Sequence, residues 1–286
     1  MTASAARLPA TVPVVIAGGG PAGLAAAAEL DLHGVPVIVI EPRAEVSHRR
    51  PRAKTTSIRT MEHLRRWGLA GALRAAAPLP VAWSQRVTFC ESLTGRRITD
   101  FDNAFGLTTQ RDDRFAEAGQ QVPQPVVEDV LRAHLAGRPG VELRFGHAVS
   151  EISQDRDGVT VTVSAPGGGR RVIRARYLLG CDGAAGICRD AIGARYAGRA
   201  DSRPNFNVVF RAPGLDTPLG PAVQYWVVAR PVPAGTGPGG TGPAGTGPDG
   251  TGADGSDGGR GPDRELFDED AVGELAQEAE SAAVPF

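Results

Sequence analysis

The chain has 286 residues, 41% of them hydrophobic and 22% charged. These values sit close to globular averages and exclude a wholly disordered or collagen-like chain. A formal net charge of −1 gives no global argument for nucleic acid or an anionic membrane surface as a partner. The charge is uneven: residues 231–286 hold eleven acids and two arginines, net −9, while residues 1–230 are net +8.

Val12-Pro13-Val14-Val15-Ile16-Ala17 is a continuous apolar run, the pattern of a strand buried on both faces. Gly18 to Gly20 turn the chain, Pro21 suits a first helical position, and Ala22 to Leu32 is strongly helix-forming. Gly34 stops that helix. Val35 to Ile40 predicts a second buried strand, ending at Glu41. The apolar stretch from Val12 to Ala28 is about 17 residues, short for a membrane span, and it lacks the basic flank of a signal peptide.

Residues 42–56 are basic and irregular. Ile58, Met61, Leu64 and Trp67 recur near the helical spacing, and Gly68 ends that segment. Residues 85–109 read as short strands around a Thr94-Gly95 turn. Pro125 opens another helix, with Val127, Val130, Leu131, His134 and Leu135 on one face. Val141–Phe145, Val149–Ser153, Val159–Ser164 and Val172–Cys181 read as strands, the last running into Asp182-Gly183. Asn205–Arg211 and Val223–Val228 are strand-like again.

Residues 234–262 hold 13 of the 38 glycines in a five-residue Thr-Gly-Pro-like period, which predicts a flexible low-complexity loop. Asp268 to Ala283 reads as an acidic helix. Cys90, Cys181 and Cys188 form no CxxC pair and no even set, so a reducing, cytoplasmic compartment is the expectation. Neither a metal-ligand spacing nor a nucleophile motif such as GxSxG is present.

The strongest motif is Gly18-Gly19-Gly20-Pro21-Ala22-Gly23, which matches GxGxxG through Gly18, Gly20 and Gly23. Gly18 allows a tight turn, Gly20 lets the backbone approach a pyrophosphate, and Gly23 permits close helix–strand packing. A diphosphate suits the positive helix end that Pro21 and Ala22 begin. The motif follows a strand, opens a helix and precedes a second strand that ends in an acid, the context that makes it a dinucleotide site. Glu41, 18 residues after Gly23, can accept hydrogen bonds from both ribose hydroxyls and repels a 2′-phosphate. That favours FAD or NAD over NADP in this site. Composition and spacing leave FAD and NAD both open.

Further motifs carry a resemblance. Glu41-Pro42-Arg43, Arg52-Ala53, Arg59-Thr60-Met61-Glu62, Arg66-Trp67-Gly68-Leu69, then Gln124 with Glu128 and Leu131, and finally Leu178 to Arg189 around Asp182-Gly183 follow the glycine motif in order. Together they resemble the FAD-dependent aromatic hydroxylases, single-component monooxygenases similar to p-hydroxybenzoate hydroxylase. The resemblance implies an α/β fold: a Rossmann-like FAD-binding domain of the glutathione-reductase type with a partial β-rich substrate domain. It implies an FAD-binding domain from residues 1–80 and 119–200, with 81–118 and 201–286 in the substrate domain.

By the same resemblance, Arg43 and Arg52 belong to the cofactor site, with Arg52 reaching the FAD pyrophosphate. Gln124 bonds the ribityl chain, and Asp182 and Gly183 meet flavin or passing nicotinamide nucleotide. Arg189 either serves the same anion or caps a turn. The implied reaction hydroxylates a small aromatic substrate with O₂ and NADH or NADPH, with no protein side chain assigned to catalysis. The GDAAH-like motif that such enzymes carry later in the chain is not found here, so the resemblance implies an N-terminal portion. A portion that binds FAD without turnover, and an NAD-dependent oxidoreductase built on the same first unit, stand as alternatives.

Overall fold

The computed structural model describes residues 9–49, 53–110, 112–198, 208 and 212–228. The expected strand over 205–211 (Val208 apart), the repeat over 234–262, the acidic helix over 268–283 and Arg52 lie outside the described residues. The chain divides into two units, Met1–Phe210 with Pro218–Val228 and Arg211–Thr217 with Ala229–Phe286. In the second unit the described residues form a turn closed by Leu215 N–H on the Ala212 carbonyl at 3.1 Å.

Strand β1 (Thr11–Ala17) leads through the glycine turn into α1 (Pro21–Leu32) and then β2 (Val37–Glu41). Gly34 ends α1 with φ +67°, and the Val35 N–H donates to the Leu30 carbonyl at 2.9 Å. That bond belongs to the helix end, so β2 starts two residues later than the apolar run suggests. Two short helices follow, α2 (Ile58–Arg66) and α3 (Ala70–Ala76). Ser57 caps α2 by accepting from Thr60 N–H at 3.2 Å, satisfying one of the orphan donors of a helix start. The apolar pattern over 69–77 did not reveal α3, whose seven residues include Gly71.

Strands β3 (Val87–Cys90) and β4 (Arg97–Phe101) pair antiparallel around the Thr94-Gly95 turn. Helix α4 (Gln124–Ala136) is followed by β5 (Val141–Phe145), β6 (Ala148–Asp155), β7 (Gly158–Ser164), β8 (Arg170–Gly180), α5 (Ile187–Ala191) and β9 (Gln224–Val227). Among the described residues no helix is long and apolar enough to cross a membrane.

The main sheet has the order β5-β2-β1-β8-β7-β6. Its first four strands run parallel, and β8-β7-β6 form an antiparallel meander. A second sheet, β4-β3-β9, joins residues 87–101 to residues 224–227. The parallel strands read as apolar runs because both faces are covered. Val14, Ile16, Val37 and Val39 face α1 and α4, while Val15, Ile38 and Ile40 face the meander residues Val161, Val163 and Ile173. Each fully buried Ile, Leu or Val contributes roughly 1.5–3 kcal/mol by leaving water.

Register then decides where chemistry can sit. Ala17 lies opposite Ile40 on β2 and Gly180 on β8, and Glu41 lies opposite Phe145 on β5. The carboxyl ends of the parallel strands therefore finish together, and the turns after β1, β2 and β8 emerge at one sheet edge. That edge is where ligands bind in open α/β sheets.

Helices α1 and α2 are tied by Glu29. Its carboxylate accepts from the Trp67 indole at 2.9 Å and pairs with Arg66 and His33. The Trp67 hydrogen bond, then Arg66, lower its pKa to about 2. A carboxyl depressed in the folded state stabilises above its unfolded pKa, and the contribution is lost as pH falls through the folded value. Urea titrations from pH 5 to pH 2 are expected to show wild type losing stability more steeply than Glu29→Gln. Parallel curves would remove Glu29 from the acid transition.

Candidate functional site

A cleft of about 620 Å³ opens at the strand ends. The turn after β1 supplies Gly18, Gly20, Pro21 and Ala22; the end of β2 supplies Glu41 and Arg43. Helix α4 adds Gln124 and Glu128, and the turn after β8 adds Cys181, Asp182 and Gly183. Of the sequence-expected positions, Gly23 lies beneath the cleft rather than on its wall, and Arg52 is outside the described residues.

Each glycine of the motif answers a different constraint. Gly18 has φ +102°, and a Cβ there would overlap the Cys181 carbonyl; a Cβ on Gly23 would overlap the Gly18 carbonyl. These two positions let β1, α1 and β8 close on one another. Gly19, which the motif spacing passes over, is held as tightly: a Cβ would meet Glu41 Cβ at 2.8 Å. Gly20 is the open one. Its nearest neighbour would be Arg43 Nη2 at 3.9 Å, so the missing Cβ leaves room on the cleft side. Pro21 begins α1 with Gly20 as its N-cap, and the Ala22 and Gly23 N–H groups belong to the first turn, where no intrahelical acceptor exists.

Glu41 is 4% exposed. Oε2 accepts from Gly19 N–H at 2.7 Å; Oε1 accepts from Arg43 N–H at 2.9 Å and Arg43 Nε–H at 2.7 Å. Burial pushes its pKa up, but the hydrogen bonds from the Arg43 side chain, the Arg43 backbone and Gly19, with the Arg43 charge, outweigh this and hold it below the usual carboxylate range. An ionised carboxylate offers about four lone-pair sites, and three are taken. Glu41 thus has room for one further donor with Arg43 in this place.

Arg43 spans two acids. Its Nη2 also reaches Glu128 Oε2 at 3.4 Å. Glu128 is 2% exposed and accepts from Gln124 Nε2 at 2.8 Å through Oε1. The buried face of α4 is therefore Pro125, Glu128, Leu131 and Leu135, with Val127 and Val130 only partly buried. Helical periodicity reads a charged residue as a solvent position, which is why Glu128 was not expected inside. Gln124, not Pro125, is the first residue of α4, and its N–H donates to the Ala53 carbonyl at 2.8 Å.

Asp182 lines the cleft while one oxygen accepts from Cys188 N–H at 3.0 Å at the start of α5. Gly186 must lack a Cβ because it would strike that carboxylate. Gly183, with φ +79°, has open space around its α-carbon. Arg189 turns away from this cleft: it donates to the Ala184 carbonyl at 2.6 Å and to Asp190, the turn-capping alternative. Burial, then the Asp182 hydrogen bond and charge, push the Cys188 thiol up to about 12, and burial raises Cys181 as well. Both stay thiols at neutral pH and are poor nucleophiles.

The comparisons with known proteins agree with this geometry. The FAD binding domain family matches residues 11–248. The chain belongs to that family. The match decides between the two nucleotides that spacing left open, in favour of FAD. The chain is 34% identical to 2,4-dichlorophenol 6-monooxygenase of Delftia acidovorans over 222 residues, 75% of this chain and 37% of that protein. It is 34% identical to para-nitrophenol 4-monooxygenase of Pseudomonas sp. (strain WBC-3) over 191 residues, 65% of this chain and 43% of that protein. Among solved structures, p-nitrophenol 4-monooxygenase PnpA from Pseudomonas putida DLL-E4 superposes with a TM-score of 0.57 at 34% identity, covering 67% of this chain and 46% of that one. The flavin-dependent monooxygenase PieE, solved with FAD and substrate, gives 0.59 at 31% identity, covering 64% and 32%. The chain thus spans between about a third and just under half of each of these proteins, and the Rossmann-like FAD-binding fold is common to them.

The glycine geometry makes a direct prediction. Gly18→Ala and Gly23→Ala are expected to cost at least about 3 kcal/mol, since backbone must move. Gly20→Ala, with ordinary φ and free space, is expected to stay within about 1 kcal/mol of wild type. Chemical denaturation of the three variants checks the order; equal losses would contradict the division between packing glycines and a ligand-side glycine.

Proposed function

We propose that this chain is the FAD-holding part of a monooxygenase that hydroxylates an aromatic or phenolic small molecule, using O₂ and NADH or NADPH. The observation that carries the reading is the open backbone at Gly20, set between a helix start and the anchored Glu41. It is a cradle that a diphosphate can enter and a Cβ would narrow. The phenol hydroxylases among the relatives support the substrate class.

In this reading Glu41 accepts a hydrogen bond from the adenosine ribose and disfavours a 2′-phosphate by charge. The first-turn N–H groups of α1 face the diphosphate. Arg43 lies at the cleft wall, and Arg52 adds a second guanidinium fork for phosphate oxygens. Gln124 meets the ribityl chain, and Asp182 with Gly183 borders the flavin end, where nicotinamide nucleotide also passes. Bound FAD supplies the redox chemistry, drawing electrons from NAD(P)H to activate O₂ for an electron-rich ring. The chain's own residues bind and orient.

We also propose the division expected from the resemblance. Residues 1–80 and 119–200 form the nucleotide domain, and the β4-β3-β9 sheet opens a substrate domain drawn from 81–118 and 201–286. The three cysteines suit a reducing cytoplasm.

The test is the visible spectrum of the purified chain with released flavin quantified. About one FAD per chain is expected, with Gly20→Ala weakening uptake at least roughly tenfold while remaining folded. A colourless protein that takes up no added FAD would overturn the reading. If FAD binds, NAD(P)H oxidation that rises with added phenols supports hydroxylation; its absence leaves FAD binding without turnover as the function of this chain.

A further inference from the structure

Glu128 is the one fully buried carboxylate at the cleft to which the flavin reading gives no task. It sits one turn into α4, both oxygens engaged: Oε1 with Gln124 Nε2 at 2.8 Å and Oε2 with Arg43 Nη2 at 3.4 Å. Arg43 is held in turn by Glu41, whose other oxygen is fixed by Gly19 N–H. One chain of charge-assisted contacts therefore runs from the glycine turn to the side-chain amide of Gln124, across 85 residues of sequence between Arg43 and Glu128. A second guanidinium, Arg132, stands one helical turn beyond Glu128 with its centre 3.9 Å over the Phe145 ring. Its Nε and Nη2 are buried without a hydrogen-bond partner. Two buried acids thus have two cations close by, as buried charge requires.

An ionised carboxylate only accepts, and an amide has one donating and one accepting end. With Glu128 in place, the nitrogen of Gln124 must face Glu128, and Oε1 is left as the accepting end. We propose that Glu128 is a positioning residue that locks the Gln124 amide in this orientation, so that the cleft presents a carbonyl oxygen to a hydroxyl of the cofactor's polyol chain. The assignment of the polyol rests on the FAD reading; the locking of the amide does not. Arg43 reaches Glu128 only through Nη2, at 3.4 Å, while its Nε stays on Glu41.

Glu128→Gln keeps the side-chain size but lets either end of Gln124 find a partner. FAD and ADP binding are compared in wild type, E128Q, Q124A and the double variant. ADP carries the adenosine and diphosphate but no polyol chain. E128Q is expected to weaken FAD roughly 5–20-fold, the scale of one misplaced hydrogen bond, and to leave ADP within about twofold. In the Q124A background, E128Q is expected to add less than about twofold. The Gln124 side-chain NH₂ pair, assigned by its loss in Q124A, is expected to shift in the ¹⁵N-correlated spectrum of E128Q.

Equal losses for FAD and ADP, full additivity with Q124A, or unmoved amide signals would overturn the proposal and make Glu128 a packing ion pair. If E128Q fails to fold, Glu128→Asp, which keeps the charge but withdraws it from Gln124, is expected to reproduce the FAD-selective loss. If wild type binds ADP but not FAD while the amide signals still move, the amide lock stands and the flavin reading falls.

Discussion

Everything at the cleft depends on one close approach of backbone to backbone. At the end of β1 the Gly18 carbonyl occupies the space a Cβ on Gly23 would need, and the Cys181 carbonyl the space a Cβ on Gly18 would need. A side chain at either glycine would push α1 off the sheet or separate β1 from the end of β8. Because neither carries one, the start of α1, the end of β2 and the turn after β8 fall within reach of a single elongated ligand. The Cys181 N–H bond to the Ala17 carbonyl at 2.7 Å and the Gly18 N–H bond to the Ile40 carbonyl at 2.8 Å fasten the three turns from the backbone side. The binding surface is thus a by-product of how tightly the strand ends pack.

The same approach explains why acids are tolerated inside. Glu41 and Glu128 are both nearly solvent-free, and an isolated carboxylate in such a place costs several kcal/mol. Glu41 is stabilised by two backbone N–H groups and one guanidinium, and Glu128 by an amide and the same guanidinium. Removing one partner leaves the other charge uncompensated. Arg43, the guanidinium they share, is itself about half exposed.

Much of this was legible in the sequence because local chemistry and tertiary packing agree there. The run Val12–Ala17 has only one stable use, a strand covered on both faces, and Pro21 followed by an alanine-rich stretch has only one, a helix starting at a glycine turn. What escaped was set by contacts remote in sequence. Glu128 reads as a polar position on an amphipathic helix until Arg43, 85 residues earlier, is placed beside it. Gly19 falls between the spaced glycines, and only the arrival of Glu41 over it shows why it lacks a Cβ. Asp182 was legible as a turn residue beside a glycine, but not as the acceptor that starts α5, since α5 has five residues and no apolar period. Helix α3 escaped for the same reason. Sequence shows that a carboxylate stands at the end of β2, not that three of its lone pairs are taken by Gly19 and Arg43.

The side chains at the cleft divide the labour between protein and cofactor. Cys181 is held as a thiol by burial, and Glu41 is held ionised by its donors. Asp182 spends one oxygen on the start of α5. The shifts on Cys181 and Glu41 both run away from neutrality, whereas general acid–base catalysis needs a pKa close to the operating pH. Such groups suit instead a site that must not reorganise when a charged ligand arrives. They cost nothing further at the moment of binding, because their partners are already in place. A rigid, pre-charged cleft at the strand ends is what a cofactor that carries its own chemistry requires from the protein, and it is what the packing of Gly18, Gly23 and Cys181 makes available.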